Sequence, residues 1–262
     1  MRKLSRAGIR RYSKVEDIVR VSNLIQNPAP GACPGCGHLI FFRLIREVLD
    51  ELNITENAIQ ANGIGCTGVT RPWQNHGYVP LLAHGRAAAV ATGIKRTNPD
   101  TFVYTFQGDG DATVIGFAET MNAAYRNENI CVFISTNAVF GLTGGQMSWE
   151  TLPGQITTTS PLGRDVEKTG DPLHLPELIV HTNPKIAYAA RGTIDSPKHI
   201  NQLKKMIRNS MEAQLNGEGY SVVECMSVCP NNWHMTPLQC RDHIADEVIP
   251  AYPLGEFKKR GE

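Results

Sequence analysis

Apolar residues in this chain follow two rhythms that alternate along its length. Short β-rich runs at Ala58 to Ala61, Phe102 to Phe106, Ile130 to Ser135, Ile186 to Ala190 and Tyr220 to Cys225 read as strands. Between them the spacing lengthens to that of a helix. Leu39, Phe42, Ile45, Leu49 and Leu52 fall on one face of a helix from about Leu39 to Leu52, and an Ala-rich helix follows from Gly85 to Lys95. Further helices are predicted over Thr113 to Tyr125, Leu175 to His181, Pro197 to Leu215 and Pro237 to Val248. Val15 to Ile25 is a modest amphipathic candidate, broken by the Pro- and Gly-bearing stretch Asn27 to Ala32. Strands alternating with helices predict the α/β class, a doubly wound and mainly parallel sheet. One stretch breaks the alternation. Gly141 to Asp171 is turn-rich and too long for an ordinary connection, which marks a functional loop.

Composition narrows the setting. The chain has 262 residues, enough for one large domain with extensions, here an N-terminal arm 1–31, a domain 32–254 and a tail 255–262. Its 26 basic and 25 acidic residues nearly cancel, so no field for nucleic acid or an acidic membrane is implied. No apolar run approaches a membrane span. Met1 to Lys14 is basic and without acids, which faintly resembles an organellar presequence, but an arm packing on a neighbouring subunit is the preferred reading. With no secretory core ahead of them, the seven cysteines are expected as metal ligands or buried thiols in a cytoplasmic protein.

The first candidate chemistry lies at Gly108-Asp109-Gly110, between a strand and a helix, with Asn137 at the end of the next strand. Two parallel strands joined by a helix bring their carboxyl ends together, where open α/β sheets bind ligands. Asp109 and Asn137 then offer two hard oxygens to one Mg²⁺, which completes its shell with phosphate and water. Gly108 and Gly110 let the backbone approach phosphates without a Cβ in the way. A bare Gly-Asp-Gly is also a common turn. The matched spacing and the second glycine-rich loop, Gly141-Leu142-Thr143-Gly144-Gly145-Gln146, favour the site. This pattern resembles the thiamine diphosphate (TPP) motif of TPP-dependent enzymes.

The second candidate is a set of thiols. Cys33 and Cys36 enter a helix, Cys66 ends a strand and Cys229 follows one. Four thiolates from separate loops suit an iron–sulfur cluster or a structural zinc. Spacing alone separates these poorly, although the lone third and fourth ligands lean towards the cluster. Cys131, Cys225 and Cys240 read as buried thiols.

Cys33-Pro-Gly-Cys36-Gly-His38, Gly63-Ile-Gly65-Cys66, His84-Gly-Arg86, Ala91-Thr-Gly-Ile-Lys95, Gln107 to Ala112, Gly141 to Gln146 and Cys229-Pro-Asn-Asn-Trp233 stand in one order. Together they resemble the β subunit of 2-oxoacid:ferredoxin oxidoreductases, over most of Ala32 to Leu254. Thr157 to Arg164 and Met235-Thr-Pro237 resemble the branched-chain or general 2-oxoacid branch, which extends to aryl 2-oxoacids. The resemblance implies a [4Fe–4S] cluster on Cys33, Cys36, Cys66 and Cys229. It also implies Mg²⁺ on Asp109, Asn137 and the Val139 carbonyl, with TPP against Gly65, Cys66, Gly108, Gly110, Asp111, Gly141, Leu142 and Thr143. The family's paired Asn-Asn is Thr136-Asn137 here, and the second Asn is kept. Relatives favouring 2-oxoglutarate often carry Lys where this chain has Gly144, and pyruvate-specific ones often carry Asn at Leu142. A bulky branched-chain or aryl 2-oxoacid is therefore expected, with Trp73, His76 and Tyr78 as candidate pocket rings.

Oxidative decarboxylation with CoA to an acyl-CoA, electrons passing to ferredoxin, is the implied reaction. Leu142 and Thr143 are expected at the substrate. His84 and Arg86 are expected at an anion, either the diphosphate or the substrate carboxylate. His38 reads as structural and Lys95 with Arg96 as a solvated helix end. No residue is convincing as the carboxylate that activates the cofactor's pyrimidine, Glu119 reading as structural, so that Glu is expected from an α subunit. Gamma and ferredoxin-like delta subunits complete the expected hetero-oligomer of anaerobic metabolism. Two rivals remain: a non-oxidative TPP-dependent decarboxylase subunit, and a non-catalytic, zinc-stabilised assembly subunit.

Overall fold

A computed structural model describes residues 32–68, 77–79 and 82–262. The Val15 to Ile25 helix, the N-terminal arm, and Trp73 and His76 lie outside the described residues, as does the side chain of Tyr78. The strands are β1 (Ala58–Asn62), β2 (Gly77–Val79), β3 (Phe102–Gly108), β4 (Cys131–Thr136), β5 (Val139–Phe140), β6 (Gln146–Met147), β7 (Tyr188–Thr193), β8 (Ser221–Met226) and β9 (Gly255–Lys258). Seven of them form one sheet in the order β2-β1-β3-β4-β8-β7-β9, parallel except where β9 pairs antiparallel with β7. Gly255–Lys258, expected as a tail, thus adds an edge strand to the sheet.

Alternation along the central strands divides the core in two. Phe102, Tyr104, Phe106, Cys131 and Phe133 face helix α1 (Gly37–Glu51), whose Phe41, Phe42, Ile45 and Leu49 are fully buried among them. Each such large side chain removed from water contributes about 1.5–3 kcal/mol. Val103, Val132 and Ile134 face the other way. There they meet the small residues Ala88 and Ala91 of α2 (Ala87–Thr97), Ala123 and Ala124 of α3 (Phe117–Tyr125), and Leu175 and Ile179 of α4 (Leu175–Thr182). Helix α5 (Pro197–Leu215) joins α1 on the first face; its start is set by Pro197 and by Ser196, whose hydroxyl accepts the His199 N–H. Helix α6 (Pro237–His243) opens on a capping box of Thr236 and Gln239.

Two expected elements differ in an informative way. The helix expected from Thr113 starts earlier, as a wide π-type turn over Gly110–Ile115, and breaks at Gly116. The break follows from a backbone contact: a Cβ on Gly116 would come within 2.6 Å of the Gly85 carbonyl oxygen. The long segment Gly141 to Asp171 is ordered rather than structureless. The buried Arg164 guanidinium donates to the carbonyls of Trp149, Thr151, Gly170 and Asp171 at 2.5–3.2 Å, so one cation gathers both limbs of the loop. The antiparallel pair β5–β6 closes its near end.

A second buried cation ties the far edge of the sheet. Arg191 of β7 is fully buried, donates to Glu224 of β8 at 2.7 Å and forms a two-pronged pair with Glu177 of α4 at 2.6 Å. Its guanidinium also lies over the rings of Tyr252 and Phe257. Removing it strands two carboxylates. Arg191→Met is expected to cost about 3–5 kcal/mol of unfolding free energy, measured by urea denaturation, and a loss under about 1 kcal/mol would contradict this role.

Candidate active site

Four neighbouring strands deliver the expected site residues to one edge of the sheet. Beyond β1 lie Gly65 and Cys66, beyond β3 Asp109, beyond β4 Asn137, and beyond β8 Cys229. The register holds them level: Asn62 pairs with Phe106, Gly108 with Ser135 and Thr136 with Met226. A cavity there is lined by His38, Gly65, Cys66, His84, Gly108, Asp109, Gly110, Asp111, Asn137, Val139, Phe140, Gly141, Leu142 and Thr143. Most of the residues singled out from sequence are brought together. Arg86 is not among those lining residues; it pairs with Glu119 at 2.6 Å.

The oxygen donors are buried and firmly held. Asp109 is 2% exposed and accepts a hydrogen bond from the Ser148 hydroxyl at 2.8 Å. Burial, partly offset by Ser148, pushes its pKa up to about 7. Asn137 accepts from the Val139 N–H at 3.3 Å across Ala138, whose φ of 59° is rare for a residue with a Cβ. That turn is clamped: the Thr151 hydroxyl donates to the Ala138 carbonyl at 2.6 Å and the Trp233 indole to the Asn137 carbonyl at 3.0 Å. Glu150 lies fully buried nearby with neither carboxylate oxygen well hydrogen-bonded. Burial and then the Asp109 charge raise its pKa well above the ordinary range, with only partial relief from the Thr113 hydroxyl, which is already donating to the Asp109 carbonyl. The described chain therefore gathers buried carboxyl groups around Asp109 whose ionisation burial opposes.

The two glycines of Gly108-Asp109-Gly110 have different surroundings. A Cβ on Gly108 would meet nothing within 4 Å, and the same holds for Gly65. A Cβ on Gly110 would strike the Phe140 ring at 2.4 Å. Open space for a ligand is thus on the Gly108 and Gly65 side, while Gly110 seats Phe140. Asp111, expected at the cofactor, also lines the cavity, but protein donors occupy its carboxylate. It accepts from the Ile64 N–H at 3.2 Å, the Gly85 N–H at 2.8 Å and the Gln107 amide at 2.7 Å, and it approaches His84 Nδ1 at 2.5 Å.

The four cysteines converge beside this cavity. Burial pushes the Cys66 thiol up to about 12, with Cys36, Cys229, Cys33 and Asp109 each adding to the effect. Cys36 is raised to about 11 by burial, Cys229 and Cys33 adding again. Thiols so close cannot all ionise without a cationic centre between them, which is the requirement a metal centre meets. Among the described residues no three His, Cys, Asp or Glu side chains close on one ion-sized point. A Cβ on Gly141 would lie 3.1 Å from Cys66 Sγ and 3.6 Å from Cys229 Sγ, so glycine keeps the space before the sulfurs clear. Asn232 donates to the Gly141 carbonyl at 3.0 Å and contacts Cys229 Sγ at 3.3 Å. His38 is buried on Phe106, and burial lowers its pKa to about 4, which keeps the ring neutral. Cys131, Cys225 and Cys240 are buried, as expected.

Several contributors escape sequence reasoning. Ser148, Glu150 and Thr151 sit in the long loop with nothing local to set them apart from exposed loop residues. Asn232 and Trp233 were within reach, because they complete the Cys229 motif.

Residues 63–225 match the family described as thiamine pyrophosphate enzyme, C-terminal TPP binding domain. The chain is 37% identical over 257 residues to ketoisovalerate oxidoreductase subunit VorA of Methanothermobacter thermautotrophicus, covering 98% of this chain and 54% of that protein. It thus spans about half the length of that relative. With 2-oxoglutarate synthase subunit KorB of Archaeoglobus fulgidus it shares 32% identity over 241 residues, 87% of this chain and 84% of that one. Among solved structures it resembles 2-oxoglutarate:ferredoxin oxidoreductase from Magnetococcus marinus, bound to 2-oxoglutarate, coenzyme A and succinyl-CoA. There the TM-score is 0.73 at 26% identity, covering 90% of this chain and 83% of that chain.

The raised Asp109 pKa makes a prediction about the cation-free protein. A carboxyl whose pKa is higher folded than unfolded favours the fold most at low pH, and that contribution is lost as pH rises towards about 7. Asp109→Asn is therefore expected to gain stability over wild type at pH 8 but not at pH 4, measured by urea denaturation in chelator. An equal difference at both pH values would contradict it.

Proposed function

Since the chain belongs to the β subunits of 2-oxoacid:ferredoxin oxidoreductases and carries the TPP-binding domain of thiamine pyrophosphate enzymes, we propose that it is one half of an oxidative TPP site. The reaction is 2-oxoacid + CoA + oxidised acceptor → acyl-CoA + CO₂ + reduced acceptor, with two electrons leaving one at a time towards ferredoxin or a similar carrier. One observation carries this reading: hard oxygens at Asp109 and Asn137 and soft thiols at Cys66 and Cys229 emerge from adjacent strands at a single edge of the sheet.

Asp109, Asn137 and the Val139 carbonyl would hold Mg²⁺, whose charge answers the excess of buried carboxylates around Asp109. The backbone at Gly108 and Gly65, open to the cavity, would receive the diphosphate. TPP held there would supply the electron sink for the pair released when the carboxylate leaves the 2-oxoacid as CO₂. Cys33, Cys36, Cys66 and Cys229 would carry a [4Fe–4S] cluster, which supplies a one-electron acceptor. Asn232 would hold the Gly141 turn against Cys229 so that the cluster and the cavity share one wall.

Substrate preference follows from the same wall. Leu142 lines the cavity with 65% of its surface exposed, which presents an apolar face, and Gly144 brings no cation for a second carboxylate. A bulky branched-chain or aryl 2-oxoacid fits this better than 2-oxoglutarate or pyruvate, and the VorA relatives are named for ketoisovalerate.

The site is incomplete in this chain. The cavity's own carboxylates, Asp109 and Asp111, are engaged with protein groups, and Glu119 is paired with Arg86. The Glu that activates the cofactor's pyrimidine would come from an α subunit, with gamma and ferredoxin-like delta subunits completing a cytoplasmic complex. No described helix is long and apolar enough to cross a membrane.

Anaerobically purified complex is expected to form acyl-CoA and reduce ferredoxin or a viologen. Its kcat/KM for 2-oxoisovalerate or an aryl 2-oxoacid should exceed that for 2-oxoglutarate by on the order of tenfold or more. Absence of both products across a 2-oxoacid panel would refute the reading. Isolated chain should turn over no substrate, and robust activity alone would remove the need for an α subunit. Gly141→Ala, which pushes a methyl against two sulfurs, should lower iron and acid-labile sulfide per chain without unfolding it. Zinc in place of iron in the wild type would favour an assembly role.

A further inference from the structure

We propose that Asn232 is a positioning residue for electron transfer, which raises the reduction potential of the cluster by donating a hydrogen bond to the sulfur of Cys229. This rests on the reading of Cys33, Cys36, Cys66 and Cys229 as [4Fe–4S] ligands given above. Asn232 follows Cys229 by three residues, across the single turn Pro230–Trp233, a spacing that brings the two side chains to one face. The turn is held at several points. Trp233 donates its backbone N–H to the Cys229 carbonyl at 2.9 Å and its indole N–H to the Asn137 carbonyl at 3.0 Å. The Met235 N–H donates to the Pro230 carbonyl at 3.1 Å. Within that frame Asn232 Nδ2 lies 3.0 Å from the Gly141 carbonyl oxygen and 3.3 Å from Cys229 Sγ, one N–H for each. The amide cannot be reversed, because a carbonyl only accepts and the nitrogen must face it. Its oxygen points at Gly145, where a Cβ would come within 2.8 Å of it.

A donor placed on one ligand sulfur acts on the whole centre. Reduction adds a negative charge that spreads onto the thiolates, so an N–H aimed at one of them favours the reduced form over the oxidised one. Cys36 Sγ has a longer contact, with His38 Nδ1 at 3.8 Å, which leaves Asn232 the closer of the two side-chain neighbours. The second N–H of the same amide holds Gly141, which lines the cavity together with Leu142 and Thr143. One side chain thus bonds both a sulfur of the electron acceptor and the wall of the cavity from which the electrons come. Without it the cluster should be harder to reduce. Asn231, one residue earlier, is exposed and serves as the control.

The test is a redox titration of the anaerobically purified complex, followed by the electron paramagnetic resonance of its reduced clusters. In Asn232→Leu one iron–sulfur signal should titrate lower and the others should stay where they are. At a fixed ambient potential its reduced-to-oxidised ratio should fall about three- to tenfold, roughly 30–60 mV at 59 mV per tenfold for one electron. Asn232→Asp, which sets a carboxylate beside the sulfur, should move the same signal at least as far, and Asn231→Leu should move none. Iron and acid-labile sulfide per complex should match wild type. A second measurement does not depend on how the variants fold: with asparagine amide-labelled with ¹⁵N, pulsed resonance of the wild-type cluster should show a nitrogen coupling. An unmoved potential in an iron-replete Asn232→Leu complex would overturn the proposal, and so would a wild-type cluster without that coupling. Weaker TPP binding at an unmoved potential would also overturn it, leaving Asn232 a clamp on the Gly141 turn alone. Wild-type chain that holds no iron–sulfur cluster would overturn the functional reading, and this inference with it.

Discussion

Everything in the site depends on the register of β3 against β4. Backbone hydrogen bonds set Gly108 beside Ser135, so the residues that follow, Asp109 on one strand and Thr136-Asn137 on the next, leave the sheet at the same height. A slip of one residue would send every side chain of a strand to the opposite face. Here that would place Phe102, Tyr104 and Phe106 among the alanines of α2 and α3, where there is no room for rings. The division of the core into an aromatic face and a small-residue face is thus what keeps two oxygen donors level. Packing energy far from the cavity is converted into positional accuracy within it.

Buried cations extend that accuracy to elements the ladder does not reach. Arg164 organises the long loop from inside by taking up carbonyls from both limbs, and the loop in turn supplies Ser148 to Asp109 and Thr151 to Ala138. Arg191 acts through a shorter path, since Glu224 also accepts from the Thr136 hydroxyl, the residue just before Asn137. Each cation is satisfied by partners distant in sequence. The two cations, themselves outside the cavity lining, consequently couple loop and sheet edge to the Asn137–Val139 turn.

Much of this was legible in the sequence because period and punctuation agree. The alternation of strands and helices, Pro197 with Ser196, and the glycines around Asp109 each have a local physical meaning, and the elements stand where those signals place them. The family follows from several motifs in one order. What was not legible depends on distant partners. No local pattern shows that Asp111 serves three other segments, that Arg86 turns to Glu119, or that Arg164 orders a loop with no period of its own. Gly255–Lys258 reads as a tail because a short edge strand has only its neighbour to define it. The buried carboxyl of Glu150 has no sequence signal at all, because burial is a property of the assembled loop.

The two glycines around Asp109 answer to different masters. Gly108 borders open space and so is constrained by whatever enters the cavity, whereas Gly110 is constrained by the Phe140 ring lying on it. Across diverging copies of this fold, position 110 should therefore covary with position 140, a small side chain at one permitting a large one at the other. Position 108 should track the ligand instead, changing only in lineages that have exchanged or abandoned it. A three-residue signature commonly taken as a single mark of cofactor binding would then record two separate histories, one of chemistry and one of packing.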